Sequence, residues 1–306
     1  LRVGLHRPHA GGVAAMADLV PDRSGFVEAD GQRVHWERFG TGARETICLL
    51  NGLAMHTRAW YGFVPMLADE FDVLLWDYLG QGESSSEDVP CEIPRLCDYL
   101  TMILDELGIE RVHLMGISYG GFVGLDYARR YQHRLHTLTV SGILLTHEEL
   151  FEMYEDISLR FYRGSLEIFE LYTHYMYEKI FGEAFVLKYK DSLDGMRQRF
   201  FERFKDKRHS LIQLTEAQDR LFAALDDRMP EYRAIETPTL IMAGAEDRAI
   251  PPWVQRKLCG ILPHHRFEPV AGSGHCVYIE QPGVFFGNLK RFARAKSLEF
   301  GGVAAA

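Results

Sequence analysis

Several features that would restrict the function of this 306-residue chain are missing from its sequence. No apolar run approaches the ~20 residues of a membrane-spanning helix, so we expect no membrane span. The 34 Lys and Arg residues are outnumbered by 43 Asp and Glu residues, which leaves a net charge of −9. The basic side chains are scattered rather than gathered into a stripe, so nucleic acid is not an expected partner.

Cysteine is also scarce. The five cysteines are an odd number, and none of them forms a Cys-x-x-Cys pair. A disulfide framework or a zinc site is therefore not expected, and the composition favours a reducing, cytoplasmic location. A single bridge between Cys91 and Cys97 stays open on the sequence alone.

The two ends of the chain carry little pattern. Residues 1–15 lack the charged start and apolar core of a secretory signal, and Met16 resembles a natural start, so residues 1–24 are interpreted as an extension. Residues 298–306 end in small side chains and are interpreted as a flexible tail.

The most informative segment that is present is Gly116-Ile117-Ser118-Tyr119-Gly120, which follows an apolar run and precedes a helical pattern. A strand-to-helix turn this tight needs glycine on both sides of the serine, and it holds the hydroxyl above the strand ends. The pattern predicts a nucleophile elbow with Ser118 as the nucleophile. The alternative is a glycine-rich turn in which the serine is incidental.

The surrounding pattern alternates strands with helices. Residues 25–28 and 32–38 predict a hairpin around Asp30-Gly31, and helices are predicted at 60–68, 94–107 and 282–294. Short runs that are apolar on both faces predict parallel strands covered by helices, and they lie at residues 46–50, 72–76, 112–115, 137–141, 239–243 and 266–270. We expect an α/β fold with a mostly parallel, eight-stranded sheet.

Between residues 145 and 233 the alternation stops, and the pattern predicts four or five helices. Such an insertion would pack at the carboxyl edge of the sheet as a cap over the site, which leaves residues 25–144 and 234–297 as the core. Any one of its aromatic and Met side chains is better explained as ordinary core, because aromatics at helical spacing usually pack inward. Their surplus over what a cap needs still favours an apolar pocket beneath it. These side chains are Phe151, Met153, Tyr154, Phe161, Tyr162, Phe169, Tyr172, Tyr175, Met176 and Tyr177.

A serine nucleophile needs a base, and His275 has the best position among thirteen histidines. It lies in Ala271-Gly272-Ser273-Gly274-His275, a loop between the last predicted strand and the last helix, from which it can reach over the sheet. His56, in the loop after the third strand, is the competitor and is assigned a lesser role at the entrance.

The third member must be a carboxylate that orients the imidazole. Asp247 follows the apolar strand at 239–243 and lies one helix and one strand before His275. Glu246 is the alternative, but adjacent residues on a loop point apart, so only one of the two can serve. The predicted catalytic residues are thus Ser118, Asp247 and His275.

These motifs resemble the α/β-hydrolase superfamily in its helical-cap branch, and the resemblance spans about residues 25–292. In that family the strand before the first large loop ends in His-Gly, and this chain has Asn51-Gly52 there. The resemblance implies that the backbone N–H groups of Leu53 and Tyr119 form the oxyanion hole.

Two positions depart from the family pattern. Asn51 replaces the usual histidine, and Leu79 replaces the arginine of the family's Asp-x-Arg-Gly-x-Gly-x-Ser segment. Asn51-Gly52 also partly resembles the hydroxyacyl acyltransferases of the rhamnolipid-precursor synthase type, which keeps acyl transfer to a non-water acceptor as an alternative.

The sequence therefore predicts a serine hydrolase that cleaves carboxylic esters of small to medium apolar acyl groups through an acyl-enzyme. The expected partner is a small-molecule ester, with no metal and no organic cofactor. The alternatives are the acyltransferase and a non-catalytic binding protein on the same fold. A homodimer stays open.

Overall fold

The computed structural model describes residues 19–86 and 91–302. Its centre is an eight-stranded sheet in the order β1-β2-β4-β3-β5-β6-β7-β8. β2 is antiparallel to β1 and β4, and the remaining pairs are parallel. The strands are β1 Arg23–Ala29, β2 Gln32–Phe39, β3 Thr46–Leu50, β4 Asp72–Trp76, β5 Val112–Ile117, β6 Leu135–Ser141, β7 Thr239–Gly244 and β8 His265–Val270.

Ten α-helical segments accompany this sheet within the described ranges. They are α1 Ile93–Glu106, α2 Tyr119–Tyr131, α3 Glu149–Arg163, α4 Leu166–Ile180, α5 Glu183–Phe204, α6 Arg208–Ala223, α7 Leu225–Arg233, α8 Pro252–Gln255, α9 Val277–Glu280 and α10 Pro282–Ala295. None of the helices in the described part of the chain is long and apolar enough to cross a membrane.

The sheet separates two hydrophobic cores, as expected for strands that are apolar on both faces. In β3, Cys48 and Leu50 face the core that contains α1 and α2, whereas Ile47 and Leu49 face the core that contains α10. The predicted eight-stranded, mostly parallel α/β fold is confirmed, and so is the Asp30-Gly31 turn, where both residues have positive φ.

The predicted helix at residues 60–68 is wrong. The segment instead forms two short 3₁₀ turns, Thr57–Trp60 and Val64–Met66. Pro65 lies inside the predicted helix and has no N–H to donate, so a continuous α-helical ladder is interrupted there.

Helices α3–α7 fill the interval between β6 and β7, and we call residues 145–233 the helical insertion. At the chain ends, β1 begins at Arg23, inside the predicted extension, and residues 1–18 lie outside the described ranges. Part of the predicted flexible tail, residues 298–302, lies within the described ranges. Phe300 is buried against Phe292, and Arg266 donates to the Leu298 carbonyl at 3.0 Å, while residues 303–306 lie outside the described ranges.

Candidate active site

Ser118 occupies a strained turn between β5 and α2. Its φ of 48° is positive, which is costly for a residue with a side chain. A Cβ at Gly116 would lie 2.2 Å from the Gly120 carbonyl oxygen, and one at Gly120 would lie 2.6 Å from the Leu50 oxygen. Both glycines are therefore required by close backbone packing, and the Ser118 side chain remains partly exposed.

The structure brings His275 and Asp247 together. His275 Nδ1 lies 2.8 Å from Asp247 Oδ2, in a site where the Asp247 side chain is fully buried. The other carboxylate oxygen accepts hydrogen bonds from the backbone N–H groups of Ala249 and Ile250, at 2.9 and 2.8 Å. These contacts fix the carboxylate so that it can hold the imidazole in one orientation.

The electrostatics of His275 reflect this pairing. Burial lowers its pKa, but the Asp247 carboxylate, their hydrogen bond and the charge of Glu280 together outweigh burial. The pKa of His275 is therefore raised above its ordinary value of 6.5. An imidazole in this setting is a stronger base than an unpaired one.

Glu246 and His56, the alternatives to Asp247 and His275, make other contacts. Glu246 Oε2 accepts the backbone N–H of Glu183 at 2.9 Å, at the start of α5. His56 lies in a separate, more polar depression with Asp77 and Arg203, and it does not line the cavity that contains Ser118. Burial lowers the pKa of His56, and the nearby arginine charge acts in the same direction.

The two predicted oxyanion donors lie beside the elbow. Leu53 lines the same cavity as Ser118, and Tyr119 is the first residue of α2. Within the described residues, no turn, loop or side-chain hydrogen bond uses the backbone N–H of either residue. The tight contact of Gly120 with the oxygens of Leu50 and Asn51 places the start of α2 against the loop that carries Leu53.

Asn51 takes a structural role in this loop. Its Nδ2 donates to the Trp76 carbonyl at 3.0 Å, and its Oδ1 accepts from Trp60 Nε1 at 2.7 Å. Gln81 Nε2 donates to the Gly52 carbonyl at 3.1 Å, so a second amide fixes the same loop. Leu79, the other departure from the family pattern, is buried in the core.

Ser118 and His275 line one cavity of about 680 Å³, its mouth included, between the core and the helical insertion. Its surface is mainly apolar, with contributions from Leu53, Phe122, Phe151, Met176, Ile180 and Ile250. Of the aromatic residues noted in the sequence, Tyr154, Tyr162 and Tyr172 also line it, whereas Phe169 packs within the insertion.

Sequence reasoning missed two residues that hold this arrangement. Gln255 is fully buried, and its Nε2 donates to Asp247 Oδ2 at 3.0 Å while its Oε1 accepts the Gly142 N–H at 3.0 Å. Gly142, with φ of 64°, leaves the space that the His275 ring fills. No local motif marks either position, because each acts through contacts distant in sequence.

All five cysteines carry free thiols, so Cys91 and Cys97 are not bridged. Across the described ranges, no group of three or more His, Cys, Asp or Glu side chains is arranged to hold a metal ion.

Comparison with known proteins identifies the family. A family model described as alpha/beta hydrolase fold matches residues 45–282. The chain belongs to this family. The resemblance predicted from Gly116–Gly120 and the loops around it is thereby confirmed at the level of the superfamily.

Individual relatives of this α/β hydrolase are hydrolases. The 2-hydroxy-6-oxononadienedioate/2-hydroxy-6-oxononatrienedioate hydrolase of Paraburkholderia phymatum is 28% identical over 262 residues, which cover 79% of this chain and 84% of the relative. The 2-hydroxy-6-oxo-2,4-heptadienoate hydrolase of Pseudomonas putida is 25% identical over 263 residues, covering 83% and 91%. An enzyme with hydrolytic activity is therefore supported.

A solved structure shows the same fold. MGS-M2, an alpha/beta hydrolase from a Medee basin deep-sea metagenome library, superposes with a TM-score of 0.79 at 23% identity. The match covers 87% of this chain and 95% of that one.

Proposed function

We propose that this α/β hydrolase cleaves carboxylic esters by nucleophilic catalysis at Ser118. The proposal depends on one observation. Ser118 and His275 line the same cavity, and Nδ1 of His275 is hydrogen-bonded to the Asp247 carboxylate. This is the arrangement of nucleophile, base and orienting carboxylate that acyl transfer needs.

In the proposed mechanism, Ser118 Oγ attacks the ester carbonyl carbon while His275 accepts its proton. The negative charge that develops on the carbonyl oxygen is held by the N–H groups of Leu53 and Tyr119, and Asp247 stabilises the imidazolium. The C–O bond then breaks, and His275 gives its proton to the leaving alcohol. Water, deprotonated by the same imidazole, attacks the acyl-enzyme and releases the acid.

The named relatives provide a second candidate, hydrolysis of a carbon–carbon bond. The Paraburkholderia phymatum relative is named for a dienedioate, a substrate with two carboxylates. In this chain no Lys or Arg among the described residues lines the Ser118 cavity, so a dicarboxylate would find no ammonium or guanidinium partner for its second carboxylate there. This favours an ester with an uncharged acyl group.

Covalent labelling tests the nucleophile. A fluorophosphonate probe should label the folded protein at Ser118, and Ser118→Ala should not be labelled. p-Nitrophenyl esters from acetyl to palmitoyl then test the acyl group, and we expect the rate to be highest for short to medium chains. Absence of labelling in a protein shown to be folded would overturn the proposal.

Two further comparisons separate the alternatives. Faster hydrolysis of a 2-hydroxy-6-oxodienoate than of every ester would favour carbon–carbon cleavage. Poor ester hydrolysis that an added alcohol or thiol acceptor accelerates would favour the acyltransferase instead.

A further inference from the structure

One wall of the Ser118 cavity carries buried polar side chains that the proposed mechanism does not use. Glu155 on α3 and Thr215 and Gln218 on α6 line this wall, with exposed fractions of 6%, 2% and 6%. They belong to the helical insertion, whereas Ser118 and His275 belong to the core. A substrate in the cavity lies between these two sets of residues.

Among the described residues, the hydrogen bonds of this wall leave the hydroxyl of Thr215 without a partner. Gln218 Nε2 donates to Glu155 Oε1, which joins α6 to α3. Other hydroxyls nearby are satisfied, since Ser158 Oγ donates to the Tyr154 carbonyl at 2.8 Å and Tyr162 donates to Tyr172 at 2.7 Å. Thr215 Oγ1, in contrast, is buried and has no hydrogen-bond partner among the described residues. A buried hydroxyl without a hydrogen-bond partner lowers the stability of the folded protein, unless a bound ligand supplies that partner.

The charge of the wall restricts what that ligand can be. Burial raises the pKa of Glu155 to about 8, with the nearby acids Asp219 and Glu152 acting in the same direction and the Gln218 hydrogen bond opposing them. Glu155 is therefore mainly protonated at neutral pH. A carboxylate here would lie beside Glu155 and, among the described residues lining the cavity, would meet no Lys or Arg. An ammonium group would have to be desolvated in surroundings that are otherwise mainly apolar.

We propose that Thr215, Gln218 and Glu155 form a polar subsite that hydrogen-bonds an uncharged hydroxyl or carbonyl group of the substrate. This rests on the proposed function, because it takes the substrate to be an ester held in the cavity of Ser118. The Thr215 hydroxyl and the Glu155 acid can each donate and accept a hydrogen bond. The substrate class is then an ester with an apolar chain and one neutral polar substituent.

Binding to the Ser118→Ala protein tests the subsite without requiring turnover. The ligands are methyl esters of straight-chain acids of about four to eight carbons, each with a terminal methyl, hydroxyl, amino or carboxyl group, measured by calorimetry at neutral pH. At the best length we expect the hydroxyl ester to bind about tenfold more tightly than the methyl-terminated ester. Thr215→Val should reduce this ratio to within about twofold, and Gln218→Met provides an independent second variant with the same expectation.

Thr173→Val is the matched control. Thr173 on α4 is also 2% exposed, and its Oγ1 has no partner in the described part of the chain. It does not line the cavity, so its replacement should leave the hydroxyl preference unchanged. Equal affinity for the hydroxyl and methyl esters, an equal loss in Thr173→Val, tightest binding of the amino or carboxyl ester, or no binding of any ester would each overturn the subsite. Labelling of Ser118 is measured separately, so failure of the subsite and failure of the proposed mechanism give different results.

Discussion

At the scale of single residues, His275 can occupy its position only because residue 142 is a glycine and has no side chain. Gly142 has φ of 64°, and a Cβ there would lie 2.5 Å from Cε1 and 2.8 Å from Nδ1 of His275. Gly142 also donates its N–H to Gln255, which donates in turn to Asp247, the partner of His275. Gly142, Gln255, Asp247 and His275 thus form a closed set of contacts, and we regard Gln255 as a positioning residue.

Gly142→Ala should therefore displace the imidazole while the protein still folds. Because a misplacement of about 1 Å can cost about 100-fold in rate, we expect ester turnover to fall by at least that factor. The measurement is kcat/KM on the best p-nitrophenyl ester, with the melting temperature recorded in parallel. Gly108→Ala is the control, since Gly108 has a similar φ of 67° but a Cβ added there would meet no atom of the described residues within 4 Å. A similar loss of activity in both variants would show that backbone strain, rather than contact with His275, is responsible.

At the scale of elements, the helical insertion and the loop of His275 are joined through their backbones. The Ile180 carbonyl, at the end of α4, accepts the N–H of His275 at 2.8 Å. Glu280 on α9 accepts the N–H groups of Gly182 and Gly274, at 2.8 and 3.0 Å, and so connects the start of α5 to the same loop. The insertion therefore helps to hold the candidate base as well as to enclose the cavity.

Glu280→Ala should loosen this connection. Losing two charge-assisted hydrogen bonds to backbone N–H groups should increase amide exchange in the first turn of α5 and in the 272–276 loop, and lower kcat/KM about tenfold. Hydrogen exchange by mass spectrometry is the measurement. Glu183→Ala, which removes an exposed carboxylate from the same turn, is the control. Unchanged exchange at both segments in Glu280→Ala would contradict this role.

The elements also show what the sequence could reveal about the fold and the candidate site. The strands and the elbow follow from local patterns, because a run that is apolar on both faces and a Gly-x-Ser-x-Gly turn each depend on adjacent residues. The helix expected at 60–68 does not form because its apolar spacing is interrupted by Pro65, whose effect the spacing alone does not reveal. Gln255 and Gly142 could not be predicted, since their roles arise from a contact across 113 positions of the chain. The cavity wall formed by Glu155, Thr215 and Gln218 could not be predicted either, because it exists only once α3 and α6 lie side by side.

At the scale of the whole molecule, Glu155 influences both the stability of the fold and the charge of the cavity wall. This acid joins α3 to α6 through Gln218 and is buried in the wall of the cavity. In the folded protein its pKa is raised to about 8 from the ordinary value of 4.5. As pH rises from about 4.5 to about 8, the unfolded chain loses this proton while the folded chain keeps it.

The folded state consequently binds more protons than the unfolded state in that interval, and the free energy of unfolding should decrease as pH rises through it. Glu155→Gln removes the titration but keeps the shape of the side chain. We expect the melting temperature of the unmodified protein to fall between pH 5 and pH 9 by at least about 2 °C more than that of Glu155→Gln. Glu170→Gln, the same change at an exposed position on α4, should follow the unmodified protein. Parallel pH profiles for the unmodified protein and Glu155→Gln would show that Glu155 ionises at its ordinary pKa, and the wall of the cavity would then be anionic at neutral pH.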